Sequence, residues 1–262
     1  MQSPIRIAVD ALGGDRGPAE VVAGALAARG DALTPILYGD AAVDTHGLEL
    51  VETTGVVEMD DKPAEAVRAK PDSSLVRSVA AVREGRADAV VSAGNTGAML
   101  AAGLLELRRI PGVMRPAIAV PIPAANGPSV LLDAGANADA RPEHLLQFAT
   151  MGAVFAEEIL GLANPTVRLL SIGEEPEKGN QLTLEAHELL SASELNFQGN
   201  CEGRDVLAGA ADVVVTDGFT GNVVLKTLEG TIRTLLEGLR AEITSTAMGK
   251  VGGLLILSQT CS

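Results

Sequence analysis

Aromatic side chains are nearly missing from this sequence, which has one Tyr, four Phe and no Trp in 262 residues. Its core must be aliphatic, and base stacking is disfavoured as a way of binding nucleic acid. Positive charge is scarce as well: 20 Lys and Arg face 34 Asp and Glu, for a net charge of −14. The clustered cations needed on a phosphate backbone are absent, so no nucleic-acid partner is expected. Any anion must be held by a local site rather than by the overall field. The two cysteines, Cys201 and Cys261, have neither metal-ligand nor redox spacing, which fits a reducing compartment. No basic n-region with a long apolar segment opens the chain, and no run approaches the roughly 20 apolar residues of a membrane span. A cytoplasmic protein is expected.

What the sequence has in plenty is glycine turns after apolar runs. Residues 88–91 read as a buried, central strand of a parallel sheet, and from Asn95 onward Met99, Leu100, Leu104, Leu105 and Leu107 keep helical spacing. The turn between them lies where strand meets helix. There the first helical N–H groups have no partner in the helix, and the positive end of its dipole lies behind them, which suits an oxyanion. Gly94 and Gly97 allow close approach to the backbone, while Asn95 and Thr96 either cap the helix or hold a phosphate. Taken alone, the turn fits a capped helix as well as an anion site.

The design recurs along the chain. After a strand at 5–9, Asp10, Gly13, Gly14, Asp15 and Pro18 lead to a helix over 19–29, with Asp15 either its cap or turned with Asp10 toward a crevice. Strands are expected at 34–38 and 49–52, and Lys62 sits in a charged turn at 58–63 that reads as solvated surface. A helix over 72–84 leads back to the central strand. Apolar runs at 117–120 and 129–132, separated by Pro, Asn and Gly, predict a hairpin and so a mixed sheet or a small second lobe. One domain is the default expectation at this length. Asp133, Asn137, Asp139 and His144 follow the next strand, but no H-x-x-x-H or carboxylate triplet makes them a metal site. His144, in the first turn of a long helix, caps, packs or transfers a proton. A strand at 167–172 runs into Glu174, Lys178 and Asn180. Asn200 and Arg204 come next, and the valines at 213–215 run into Asp217, Gly218, Thr220, Gly221 and Asn222, with Lys226 in the following helix. In an open α/β sheet such loops converge on one crevice.

Seven strings in this order, DALGGDRGP, MDDKPAEA, SAGNTGA, LLDAGANADARPEHLLQFA, SIGEEPEKGN, GNCEGRD and DGFTGNVVLKTLEG, resemble the fatty acyl-carrier-protein:phosphate acyltransferases of bacterial phospholipid synthesis, the PlsX family. The resemblance runs from residue 5 to about 253 and implies a single domain over 1–253. It implies a three-layer α/β/α fold with a mostly parallel, mixed sheet, similar to phosphate acetyltransferases and isocitrate or isopropylmalate dehydrogenases, in a homodimer. The reaction it implies joins inorganic phosphate to the acyl group of an acyl-carrier-protein thioester, releasing acyl phosphate and free acyl carrier protein for phosphatidic acid synthesis, with no cofactor or metal. A membrane glycerol-3-phosphate acyltransferase is the further partner implied.

Phosphate is already a competent nucleophile, so such an enzyme must desolvate it, align it and stabilise the developing oxyanion. On the matching motifs the resemblance assigns catalysis to Asn95, Lys178, Asn222, Lys226 and His144. It sets Asp10, Gly13, Gly14, Asp15, Lys62, Gly94, Thr96, Gly97, Asp133, Asn137, Glu174, Asn180, Asn200, Arg204, Asp217, Gly218, Thr220 and Gly221 around the substrates. Gly94, Asn95 and Thr96, with Gly218, Thr220, Gly221 and Asn222, would form the phosphate and oxyanion sites, Lys178 and Lys226 would neutralise charge, and His144 would shuttle a proton. One lost oxyanion donor is worth about 3 kcal/mol, so Asn95→Ala is expected to lower turnover about a hundredfold.

Leu228, Ile232, Leu235, Leu236, Leu239, Ile243, Met248 and Val251 form an apolar stripe at helical spacing. In the family this region, about 228–253, is similar to a helical hairpin that dimerises and touches the inner face of the membrane; an ordinary core or dimer helix reads equally well. Only Arg233, Arg240 and Lys250 are there to meet anionic lipid. Residues 254–262 no longer match, whereas the family continues for several dozen residues, so a truncated or frame-shifted reading frame is expected. The alternatives are a coenzyme A-dependent phosphate acetyl- or butyryltransferase and a catalytically inactive truncated scaffold. A nicotinamide dehydrogenase lacks its glycine fingerprint and ribose-binding acid here.

Overall fold

A computed structural model of the chain describes residues 3–246. The chain divides after Pro116 into two compact units. The first runs β1 (Ile5–Asp10), α1 (Pro18–Ala28), β2 (Leu33–Gly39), β3 (Glu49–Glu52), α2 (Pro63–Ala69), α3 (Ser74–Arg83), β4 (Ala89–Ser92) and α4 (Thr96–Glu106). Its four strands are all parallel, in the order β3-β2-β1-β4. Period-two alternation sends Ala8 to one face, with Ile36, Tyr38 and Ala81, and Val9 to the other, with Val22, Ala25 and Leu37, so both faces are covered by helices.

Three expectations change here. Among the described residues β4 is an edge strand rather than a central one, and Val91 is 56% exposed; apolar composition fixes neither position in a sheet nor burial of both faces. Asp15 is exposed and caps nothing. The first helix runs within a residue of the expected 19–29, with Gly17 at its N-cap and Pro18 in its first turn. The charged turn at 58–62 is followed by α2, because Pro63 sits in a helix's first turn, where its missing N–H costs nothing.

The second unit runs β5 (Ala119–Ala124), β6 (Gly127–Leu132), α5 (Pro142–Leu160), β7 (Val167–Leu170), α6 (Gln181–Ser191), β8 (Phe197–Cys201), α7 (Gly203–Ala208), β9 (Val213–Val215) and α8 (Gly218–Ser245). The predicted hairpin is β5–β6, the antiparallel edge of a sheet ordered β5-β6-β9-β7-β8 that is otherwise parallel. Val213 and Val215 pack with Leu145 and Phe148 of α5, and Val214 packs on the opposite face, with Val224 and Leu225 of α8 against that cluster. At Gly152 of α5 a Cβ would lie 2.5 Å from Val213 Cγ1, so helix and sheet meet closely. The α/β architecture with mostly parallel sheets and helices on both sides is therefore present, as one parallel and one mixed sheet. Met248, Lys250, Val251, Cys261 and residues 254–262 lie outside the described residues. Among those described, no helix is long and apolar enough to cross a membrane.

Candidate functional site

In the first unit the pairing of β1 with β4 sets Asp10 beside Ser92 at the C-terminal strand ends. Asp10 is 1% exposed. Its Oδ1 accepts from Gly13 N at 3.2 Å and its Oδ2 from Ser92 Oγ at 2.7 Å, while Ser92 Oγ accepts from Gly94 N at 3.0 Å. Gly14, at φ +100°, lies against Ala93; a Cβ there would be 3.1 Å from that residue's methyl. Asn95 is buried and its side chain is fully engaged. Its Oδ1 accepts from Ala98 N at 3.0 Å, capping α4, and its Nδ2 donates to the carbonyls of Glu58, Met59 and Asp61 at 3.3, 3.1 and 3.1 Å. A Cβ on Gly97 would come within 2.7 Å of Pro63 Cγ. The strings MDDKP and SAGNTGA are thus brought together, and Lys62 with them. Lys62 is exposed, 3.4 Å from Glu65, in a surface pair that constrains it little. Asp61 anchors the same loop from below, its carboxyl held under its ordinary range by the Lys70 ammonium and the Glu58 N–H.

Two amide hydrogens facing three carbonyl oxygens leave Asn95 nothing to give an oxyanion. Its role in this geometry is cap and clamp. The expected result for Asn95→Ala is accordingly a loss of stability, about 1–2 kcal/mol for an N-cap residue, measured as a lower urea midpoint. What remains open at the start of α4 are the N–H groups of Thr96 and Gly97, which have no acceptor among the described residues, and the exposed Thr96 side chain.

In the second unit Asp133 is fully buried and accepts five hydrogen bonds. They come from the N–H of Ile118, Gly135, Ala136 and Asn137 and from Asn137 Nδ2, at 2.7–3.1 Å. Such a carboxylate organises a loop, its oxygens taken up by the protein's own donors. Gly218 and Gly221, both buried, pack α8 onto that loop, and Gly218 N donates to Asn137 O at 2.8 Å. Asp217 caps α8, its Oδ1 accepting from Thr220 N at 2.9 Å and its Oδ2 from Thr220 Oγ1 at 2.7 Å. A carboxylate thus already meets the positive end of α8, whereas α4 is capped by a neutral amide, so the start of α4 is the more favourable of the two for an anion.

Ser171, Gly179, Asn180, Thr183, Thr216, Asp217 and Thr220 surround a cavity of about 350 Å³ at the ends of β7 and β9. Asn180 also caps α6, accepting from Thr183 N at 2.9 Å. Asn200 lies beneath the 173–180 loop rather than in the cavity: it is buried, donates to Glu175 O at 3.0 Å and meets His187 Nδ1 at 2.9 Å. Ser171 Oγ donates to Lys178 O at 2.8 Å. His144 is buried and its Nδ1 accepts from Arg141 N at 3.1 Å, in a capping box at the start of α5. Glu174, Lys178, Asn222, Arg204 and Lys226 are exposed; Arg204 faces Glu202 and Asp205, and Lys226 turns to Glu229 at 2.9 Å. Sequence reading missed Ser92, Ser171 and Thr216. Each is a hydroxyl residue ending a strand or following it directly, a position that offers a donor and an acceptor to the next turn. Among the described residues no three His, Cys, Asp or Glu side chains converge on a metal position.

Residues 5–262 match the model of the family described as Fatty acid synthesis protein. The chain is 51% identical to a phosphate acyltransferase of Desulfitobacterium hafniense over 263 residues, covering 96% of this chain and 79% of that protein. It is 48% identical to a phosphate acyltransferase of Heliobacterium modesticaldum over 263 residues, 96% of this chain and 78% of the relative. A phosphotransacetylase from Streptococcus pyogenes has the same fold, with a TM-score of 0.63 at 19% identity over 85% of this chain and 80% of that one. Glycine turns at the strand ends, the α/β architecture and near-half identity over almost its whole length agree: the chain belongs to the Fatty acid synthesis protein family.

Proposed function

We propose that this chain transfers a fatty acyl group from an acyl-carrier-protein thioester to inorganic phosphate, giving acyl phosphate and free carrier-protein thiol. The observation that carries the reading is its 48–51% identity, over 96% of its length, to relatives named phosphate acyltransferase. The start of α4 supports it with the N–H groups of Thr96 and Gly97, the Thr96 hydroxyl, a neutral cap and Lys62 on the adjoining loop. A phosphate oxygen attacks the thioester carbonyl, the C–O bond forms, the oxyanion collapses and the C–S bond breaks, the electron pair leaving on sulfur. Thiolate departs without a general acid, in keeping with a His144 engaged as a cap. Burial pushes the Cys201 thiol up to about 12, so at neutral pH it stays protonated and is a poor acyl acceptor. Direct attack by phosphate is the simpler route. The exposed Ile232, Leu235, Leu236 and Leu239 of α8 support the further reading of a helix that pairs with a second copy or rests on a membrane surface.

The test is phosphate-dependent release of carrier-protein thiol from a long-chain acyl carrier protein, with long-chain acyl and acetyl coenzyme A assayed beside it. Carrier-protein thiol should appear only when phosphate is present. Release from acetyl coenzyme A alone would transfer the chain to the coenzyme A-dependent class, and no release from any thioester would leave a scaffold.

A further inference from the structure

Ser92 carries no assigned role, yet it joins the two glycine turns of the first unit. Its hydroxyl donates to Asp10 Oδ2 at 2.7 Å and accepts from Gly94 N at 3.0 Å, while the other oxygen of Asp10 accepts from Gly13 N at 3.2 Å. The turns are packed without slack around this pair. A Cβ on Gly13 would lie 2.5 Å from Asp10 Oδ2 and 2.9 Å from Gly94 N, and one on Gly94 would lie 3.2 Å from Ser92 Oγ and 3.3 Å from Gly13 Cα. We infer that Ser92, held by Asp10, is a positioning residue that fixes the Gly94 peptide and thereby aims the Thr96 and Gly97 N–H groups at phosphate. The inference rests on the reading that α4 binds phosphate at its start.

The hydroxyl governs where Gly94 can go. Its N–H is committed to Ser92, so it gives nothing to a ligand directly. Glycine has the widest choice of φ and ψ of any residue. An acceptor whose own hydrogen is pinned by a buried carboxylate holds this one in a single orientation. Without the hydroxyl, the amide of Gly94 has no protein acceptor, the turn samples other conformations, and the α4 donors are no longer preorganised. Phosphate binding weakens while the chemistry of a phosphate that does bind is little changed, because no reacting atom touches Ser92.

The experiment titrates inorganic phosphate into the full chain by calorimetry and, in parallel, measures the phosphate dependence of thiol release. Ser92→Ala is expected to raise the phosphate Kd and KM about tenfold, with kcat within about twofold. Ser92→Thr keeps the hydroxyl and should stay within about twofold of wild type in all three. Unchanged phosphate affinity in Ser92→Ala, or equal weakening in both variants, would overturn the inference. So would a Ser92→Ala chain without a cooperative thermal transition, since the hydroxyl would then be holding the fold. A wild-type chain that fails to bind phosphate overturns it too. Thiol release separates this from the broader reading: phosphate-dependent release with Ser92→Ala unaltered removes only the positioning role. Phosphate binding that weakens in Ser92→Ala, with no release by wild type, removes only the acyl-transfer reading.

Discussion

Replacing Gly221 by Ala is expected to destabilise the chain by about 3 kcal/mol or more, at the top of the range for overpacking. For a chain of this length that lowers the thermal midpoint by roughly 6–12 °C. The direction is informative, because Gly→Ala inside a helix ordinarily stabilises by up to about 1 kcal/mol. A Cβ on Gly221 would fall on the carbonyl oxygen of Asp133, with the carbonyl carbon and Thr216 Cγ2 each 3.0 Å away. Neither backbone can yield. Asp133 N donates to Thr216 O at 3.1 Å and Thr216 N to Leu132 O at 2.8 Å, which ties both to the ends of the β6–β9 ladder. Gly230 and Gly238 of the same helix have nothing within 4 Å of a Cβ. Alanine at either should stabilise the chain by a few tenths to about 1 kcal/mol and so raise the midpoint. Scanning calorimetry on the three variants decides the matter; a Gly221→Ala midpoint at or above wild type would sink the packing argument.

The same helix start shows how far the residues could be read before the fold was seen. β3 was legible to the residue at 49–52, and the β5–β6 hairpin followed from two apolar runs parted by turn residues, because period and turn chemistry are local properties. The position of β4 was not legible: residues 88–91 read as a fully covered strand, and only pairing tells that, among the described residues, its outer edge is open. α2 was hidden because residues 58–63 read as a charged surface turn, whereas Pro63 begins a helix. At the site, the motifs named the right loops but not the direction of their side chains. Asn95, Asp217 and Thr220 are the short polar residues that either cap a helix or hold an anion, and both uses engage the same orphan N–H groups. Which use wins depends on carbonyls 34–37 residues away for Asn95 and on a hydroxyl three residues away for Asp217. Charge then separates the two sites, since a neutral amide caps one helix and a carboxylate the other.

Asp133→Ala is expected to cost more than any other single change in the second unit, about 4–5 kcal/mol. Five hydrogen bonds lose their acceptor at once, from Ile118, Gly135, Ala136 and twice from Asn137. Each buried donor left unsatisfied costs about 1–3 kcal/mol, and the sum is tempered because the loop relaxes and water enters. Against a total stability of about 5–15 kcal/mol, the variant should unfold at a much lower urea concentration. Asp133→Asn keeps the shape and one acceptor oxygen but turns an NH₂ toward donors, so its midpoint should fall between wild type and Asp133→Ala. The loop also supplies the carbonyl that accepts from Gly218 N at 2.8 Å, so the start of α8 should loosen with it. Hydrogen exchange at Gly218 and Thr220 should quicken in Asp133→Ala. An Asp133→Ala midpoint within about 0.5 kcal/mol of wild type, the ordinary range of a surface change, would mean that the carboxylate does not hold this loop and is available for a ligand after all.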